Sequence, residues 1–376
     1  MSCLRMYINC PNTIASIAAR TVFSSGGIHF FASSLSRTYS SLGVSFGCNV
    51  TSRNRLRIQR ATMENRSVVM SFILTAYTEM EDHRYVYFTG FLLLFILMLL
   101  VNIILITIIY IEASLHEPMY FLLCSLAVNG IYGTISLLPS ILGHLMSHTY
   151  EISLTACLSQ IFCLHTYGAV EFITLAAMGY DRYVAICHPL HYHQLMSHRK
   201  VYTLIALCWI YPFIVFGMYF ILTAQLIYCD NIMEKVYCAS FALIKLSCFD
   251  ISFHSKLGHV VTVFIIVPQV LMILFSYAQI LRICLTASKE SQAKAIQTCT
   301  PHLLAVINYA VGVLFEVISI RFNMSHVPYK VRIFLSLYFL IFPPLLNPVM
   351  YGISIQAIRV QIFKLFFTCK NRLFTQ

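Results

Sequence analysis

Met178-Gly-Tyr-Asp-Arg-Tyr-Val-Ala-Ile-Cys-His-Pro-Leu-His-Tyr192 runs out of an apolar stretch into a histidine-bearing loop broken by proline. Its Asp181-Arg182 pair sits where the apolar run ends. On insertion scales an arginine at the centre of a membrane helix costs about 2.5–3.5 kcal/mol, and less near a helix end. A residue kept at that cost points to function more than to stability. What it means depends on whether the apolar run upstream is one of a set of membrane helices.

Composition answers that question. The 376-residue chain is 59% hydrophobic and 10% charged, whereas soluble domains carry about 25% charged residues. Crossing a ~30 Å hydrocarbon core takes about 20 apolar residues. Seven blocks qualify, at 86–110, 119–143, 158–182, 201–222, 257–283, 295–318 and 331–353. All are too long for strands and lack the alternation of a barrel wall, so they predict helices. The expected fold is an all-α, multi-pass membrane protein built as a seven-transmembrane helix bundle.

The net charge of +11 does not argue for nucleic acid. Residues 1–62 hold seven arginines and no Asp or Glu, leaving 18 basic against 14 acidic residues in the remainder. Several of those basic residues fall in expected inner loops, where positive excess sets orientation. The partner implied is a lipid membrane. The acid-free, Ser- and Arg-rich 1–62 has the composition of a transit peptide, a disordered leader or a gene-model extension. Met63-Glu-Asn-Arg-Ser67 then opens a short stretch, 63–85, that carries a glycosylation sequon at Asn65. Asn49 and Asn323 head further sequons. No Cys/His array has zinc spacing; His188 and His191 beside Cys187 come nearest. With no nucleophile–base pair either, the sequence predicts no enzyme, no metal and no cofactor.

Five further signatures follow in order around the Asp-Arg-Tyr block. They are Leu115-His-Glu-Pro-Met-Tyr120, the loop cysteines Cys229, Cys238 and Cys248, Ser276-Tyr277, Lys294-Ala-Ile-Gln-Thr-Cys-Thr-Pro-His302 and Asn347-Pro-Val-Met-Tyr351. Across residues 63–372 the chain thereby resembles the odorant (olfactory) receptors, a rhodopsin-like (class A) family of G-protein-coupled receptors. The Asn129-Gly130 wording of the second span resembles the fish-type branch. Most rhodopsin-type receptors have an aspartate where this chain has Gly130, which puts any sodium site relying on that acid in doubt.

The resemblance implies a plasma-membrane receptor with its amino terminus outside and its tail, 354–376, in the cytoplasm. Its partners would be a small-molecule odorant and a heterotrimeric G protein of the stimulatory, cyclic-AMP-raising class. It assigns coupling and switching to Asp181, Arg182, Tyr183, Tyr277, His302, Asn347, Pro348 and Tyr351. In that scheme Asp181 holds Arg182 at rest, and Tyr277 and Tyr351 turn inward when helix 6 swings out. It also implies that Asn102 bonds to helices 2 and 7, and that a short amphipathic helix precedes a palmitoylated Cys369. Four outer cysteines allow three pairings; the resemblance selects Cys157–Cys238 and Cys229–Cys248.

Helical arithmetic at 100° per residue places Leu164, Gly168, Glu171 and Leu175 on the face of Arg182. Glu171 then lies ~16 Å from Arg182, an intramembrane acid and so a functional candidate. The plainer reading is a carboxyl hydrogen-bonded within the bundle. From His302, residues Tyr309, Val313 and Glu316 return to one face of helix 6. The expected ligand pocket comprises Leu164, His165, Gly168, Ala169 and Phe172 on helix 3, and Val261, Thr262 and Ile265 on helix 5. Helix 6 adds Tyr309, Val313 and Leu314, with Glu316 nearer the rim. The absent side chain at Gly168 leaves room for a ligand. Trp209 and Pro212 read as packing residues. A transporter would need internal repeats or a polar file across several spans, and none is evident. A rhodopsin-like receptor for amines would carry an acid where this chain has Leu164.

Overall fold

The computed structural model describes residues 69–147, 149–321 and 327–364. The leader 1–62, the sequons at Asn49, Asn65 and Asn323, and Cys369 lie outside the described residues. Seven long helices follow one another: α1 (Arg84–Ile111), α2 (Pro118–Met146), α3 (Leu154–Cys187), α4 (His198–Ala224), α5 (Ser252–Cys284), α6 (Lys289–Arg321) and α7 (Tyr329–Ser354). Each carries a stretch long and apolar enough to cross a membrane. They overrun the expected spans because regular structure continues into the polar flanks. α3 starts at Leu154, ahead of the expected span at 158–182, with the Ser153 hydroxyl capping it by accepting from the Ala156 N–H. α6 starts at Lys289, so residues 285–288 alone separate it from α5.

α3 is the axis of the bundle. In its apolar core window 83% of the residues are buried, against 17% in α4, so α3 is enclosed by the other helices while α4 lies at the periphery. Peripheral helices expose large apolar side chains such as Leu93, Ile214, Leu271 and Ile307. Water would penalise such a surface; hydrocarbon does not.

Prolines inside the helices leave carbonyls free for other donors. Pro348 lacks the N–H that would bond to the carbonyl four residues earlier, which is that of Pro344. The Asn102 amide of α1 donates to this carbonyl at 2.8 Å, and to Met98 O of its own helix. On α2, Asn102 packs against Gly130, its oxygen 2.9 Å from where a Cβ would be, and among the described residues that oxygen accepts no hydrogen bond. The expected bond to helix 2 is thus replaced by van der Waals packing.

One end of the bundle carries a small sheet that the composition did not announce. β1 (Ser71–Leu74) is its central strand, antiparallel to β2 (Glu151–Ser153) and parallel to β3 (Ile232–Met233), with Phe72 opposite Ile152 and Ile73 opposite Ile232. Phe72 and Leu74 alternate inward and are fully buried. The turns that follow place Tyr77 between the rings of His144 and Tyr150, at 5.3 and 5.7 Å, and its hydroxyl donates to Val236 O at 2.6 Å. Disulfides Cys157–Cys238 and Cys229–Cys248 tie the long 225–251 connection to α3 and to itself. At the far end of the chain, residues 356–364 form a helix that buries Ile358 and exposes Arg359 and Lys364.

Candidate functional site

At the end of α3 opposite the disulfides, Asp181 is fully buried and Arg182 is 8% exposed. Arg182 donates to Asp181 Oδ2 through both Nε and Nη2. The other carboxylate oxygen accepts from Tyr192 Oη at 2.8 Å. Tyr192 lies on a single helical turn, Tyr192–Leu195, in the connection after α3. Burial, and then the adjacent Asp181 charge, raise its phenol above the ordinary value, so it remains a donor. Tyr183 turns away from this group, toward His188 at 3.0 Å and the Phe275 ring on α5.

Tyr277 and His302 form a second unit. The His302 Nε2–H donates to Leu175 O at 2.8 Å, since a carbonyl can only accept. That assigns Nδ1 as acceptor for the Tyr277 hydroxyl, 2.6 Å away. Gly179 makes the approach possible: a Cβ there would stand 3.3 Å from His302 Cε1. Tyr351 is 1% exposed and its hydroxyl has no hydrogen-bond partner among the described residues. Met178, Arg182, His302 and Tyr351, with the start of α2, line a crevice of about 260 Å³.

Farther along the same face of α3, Glu171 is fully buried. Its two oxygens accept from Asn129 Nδ2 of α2 at 2.7 Å and from Asn347 Nδ2 of α7 at 2.5 Å. Asn129 also donates to Tyr167 O at 3.0 Å. One carboxyl therefore joins three helices. Gly133 accommodates the Tyr167 ring on the neighbouring side.

The expected pocket residues divide into two groups. Gly168 and Phe172 meet α6 and α7: Tyr309 stacks on Phe172 at 5.0 Å and donates to Gly168 O at 2.8 Å. The space at Gly168 is not empty. A Cβ there would lie 2.8 Å from Phe339 Cζ, so the α7 ring fills it. His165 donates from Nδ1 to Ile161 O and packs on Phe216 of α4. Ala169 joins Phe216 and Ile265 with Val261, beside α4 and α5. Leu164 is buried in the layer below the sheet, and Val313 is half-buried. Leu314 and Thr262 are corrections, for both are exposed on the bundle surface. Leu314 lies five residues beyond Tyr309, which turns it about 140° away on a helix; Thr262 bonds back to Gly258 O.

Near the rim, one oxygen of Glu316 is buried without a hydrogen-bond partner among the described residues. Lys235 and Tyr237 reach Ser336 of α7 beside it, each at 3.4 Å. Burial, and then the Glu316 charge, hold the Tyr237 phenol well above its usual value. Phe339 and Tyr192 were not anticipated. Tyr192 stands in the deciding stretch, but nothing in its spacing pairs it with Asp181.

A seven-helix bundle whose axial helix ends in a buried Asp-Arg pair, facing a proline-bearing seventh helix, is the architecture of a rhodopsin-like receptor. The comparisons narrow the class. A family profile described as "Olfactory receptor" matches residues 91–369. Olfactory receptor 52K2 of Homo sapiens is 33% identical over 307 residues, covering 79% of this chain and 95% of the relative. Olfactory receptor 51B5 of Homo sapiens is 33% identical over 304 residues, covering 79% and 96%. Olfactory receptor 51E1 of Homo sapiens is 33% identical over 308 residues, covering 80% and 95%. The chain belongs to the olfactory receptor family; it is a multi-pass membrane protein of a receptor class, not an enzyme.

Proposed function

We propose that this receptor detects a small odorant at the plasma membrane, binding it in the half of the bundle nearer the disulfides. It then activates a heterotrimeric G protein of the stimulatory, cyclic-AMP-raising class at the Arg182 end. In this reading the amino terminus and disulfides are extracellular, Asn65 is glycosylated, and 356–364 lies along the cytoplasmic membrane surface. The second-span wording favours the fish-type branch. One observation carries the reading. Tyr309–Gly168, Glu171–Asn347 and Tyr277–His302–Leu175 form successive polar contacts along α3, between the outer half and the Arg182 crevice. Each joins α3 to a helix that must move relative to it if binding is to open the crevice.

The test is a cyclic-AMP assay of the full chain against an odorant panel, run beside Arg182→Ala with surface levels measured. At least one odorant should raise cyclic AMP in the wild type and none in the variant. A response that survives Arg182→Ala at equal surface level overturns the coupling assignment.

A further inference from the structure

Near the disulfide end, two opposite charges are held close to each other without meeting. Lys235 lies between β3 and Cys238, so a strand on one side and a disulfide on the other fix its backbone against the bundle. Glu316 comes from α6. Its carboxylate feels the Lys235 charge. Yet the two make no ion pair, which puts more than 4.0 Å between the ammonium nitrogen and the carboxylate oxygens.

Both groups are short of partners. Among the described residues Glu316 enters no ion pair, and its Oε2 is buried without a hydrogen bond. An enclosed carboxylate oxygen left unmade is costly, so a charged donor brought there gains a strong bond. Lys235 is half-buried, and among the described residues its one hydrogen bond, to Ser336 Oγ, is 3.4 Å long. That is beyond the roughly 2.7–3.2 Å of a well-made N–H···O bond, and an ammonium has two further protons to give. The Ser336 hydroxyl accepts from Lys235 and keeps its own proton to donate, whereas Tyr237 spends its proton on Ser336 O. Arg332, one turn before Ser336, has contacts of its own. One to two turns deeper on the Glu316 face of α6 are Val313, half-buried, and Tyr309, stacked on Phe172. The wall below the charges is therefore apolar.

We propose that the odorant of this receptor is a small amino acid with an apolar side chain, bridging Glu316 and Lys235. Its ammonium donates to Glu316 Oε2. Its carboxylate accepts from Lys235 Nζ and from the Ser336 hydroxyl, and its side chain points down α6 toward Val313. A zwitterion carries a cationic donor and an anionic acceptor one carbon apart, so it links two charges too far apart to pair directly. A ligand with one charge fares worse. A simple amine leaves Lys235 unpaired, and a simple carboxylate leaves Glu316 unpaired. The bound amino acid ties α6 to α7 and to the disulfide-linked connection, and so acts on the helix that carries His302. The inference rests on the reading that the odorant binds nearer the disulfides, and adds the chemical class of that odorant.

The experiment is a ligand-observed NMR titration of the purified full chain in lipid nanodiscs, with the cyclic-AMP assay run on the same ligands. The probes are L-alanine and L-leucine. Two controls each lack one charge of leucine: 3-methylbutan-1-amine has no carboxylate, and 4-methylpentanoate has no ammonium. Leucine should bind saturably, and each control about tenfold or more weakly, the scale of one charge-assisted contact. Glu316→Gln and Lys235→Gln should each weaken leucine about tenfold or more, while Glu234→Gln, at an exposed neighbour, should bind as the wild type does. In Lys235→Gln leucine should lose its advantage over the amine, and in Glu316→Gln its advantage over the carboxylate. A merely structural role would weaken all three ligands alike. The three-ligand comparison on the wild type needs no variant, so it decides the matter even where a substitution unfolds the chain. If neither amino acid binds while a panel odorant raises cyclic AMP, the amino-acid class is overturned and the odorant reading stands. If no ligand of any kind binds or signals, both fall. Leucine binding that both variants leave unchanged places the amino acid elsewhere. Either control binding the wild type as tightly as leucine does shows that the charge it lacks is not read.

Discussion

Asp181 serves two donors at once, and that sets the strength of the resting state. Its Oδ2 accepts twice from Arg182 and its Oδ1 accepts from Tyr192. Hydrogen bonds to charged groups contribute about 1.5–3 kcal/mol each, and 1.4 kcal/mol is a factor of ten in an equilibrium. Asp181→Ala should therefore raise basal cyclic AMP several-fold at matched surface level. Tyr192→Phe, which removes one contact, should shift it in the same direction by less. An unchanged baseline in both variants would show that Arg182 is restrained elsewhere. Glu171 gives a second contrast. In Glu171→Ala, Asn347 keeps a buried amide without a partner, at roughly 1–3 kcal/mol, and thermal stability should fall. Glu171→Gln should be milder, because Asn129 and Asn347 each have an unpartnered oxygen and a flipped amide can meet the new donor. Equal melting temperatures for the two variants would contradict this account. The sequence shows Glu171 on the Arg182 face by rotation alone. Which helices supply its partners depends on how α2 and α7 are turned, and no periodicity within α3 encodes that.

Among the elements, the seven helices were legible because twenty apolar residues in a row leave few other structures available. Their contacts were less so. A glycine on an inward face signals missing volume without saying what fills it. At Gly168 the occupant is Phe339, a residue with no distinguishing sequence context. Gly312 repeats the theme, since a Cβ there would stand 3.0 Å from Phe339 Cα, so α6 and α7 approach backbone to backbone. Gly168→Leu should expel the Phe339 ring and disturb the Tyr309 bond beside it. Overpacking of that kind costs about 1–3 kcal/mol. Odorant responses should be lost or weakened more than tenfold in dose–response curves while surface expression remains. Unchanged potency for every active odorant would move the pocket away from this junction.

Across the whole molecule, the disulfide-bonded cap and the bundle depend on each other through covalent and strand links. Removing a native disulfide typically costs about 2–5 kcal/mol. Cys157→Ala and Cys238→Ala should each depress surface expression, and the double variant should be no worse than either alone. Flow cytometry of an amino-terminal tag reads this; wild-type levels would show the link to be dispensable. The sheet was illegible beforehand because four residues of β1 carry too little pattern to distinguish a strand from a loop. Its topology has a consequence for synthesis. β1 precedes all seven long helices, yet its neighbours are 151–153 and 232–233, so one edge waits for two helices to be threaded into the bilayer and the other for four. Such long-range closure is slow and leaves an open strand edge in the interim. Completion of the cap therefore reports that the first four crossings were made with the correct count and direction, since one omitted crossing would put the third strand on the wrong side of the membrane.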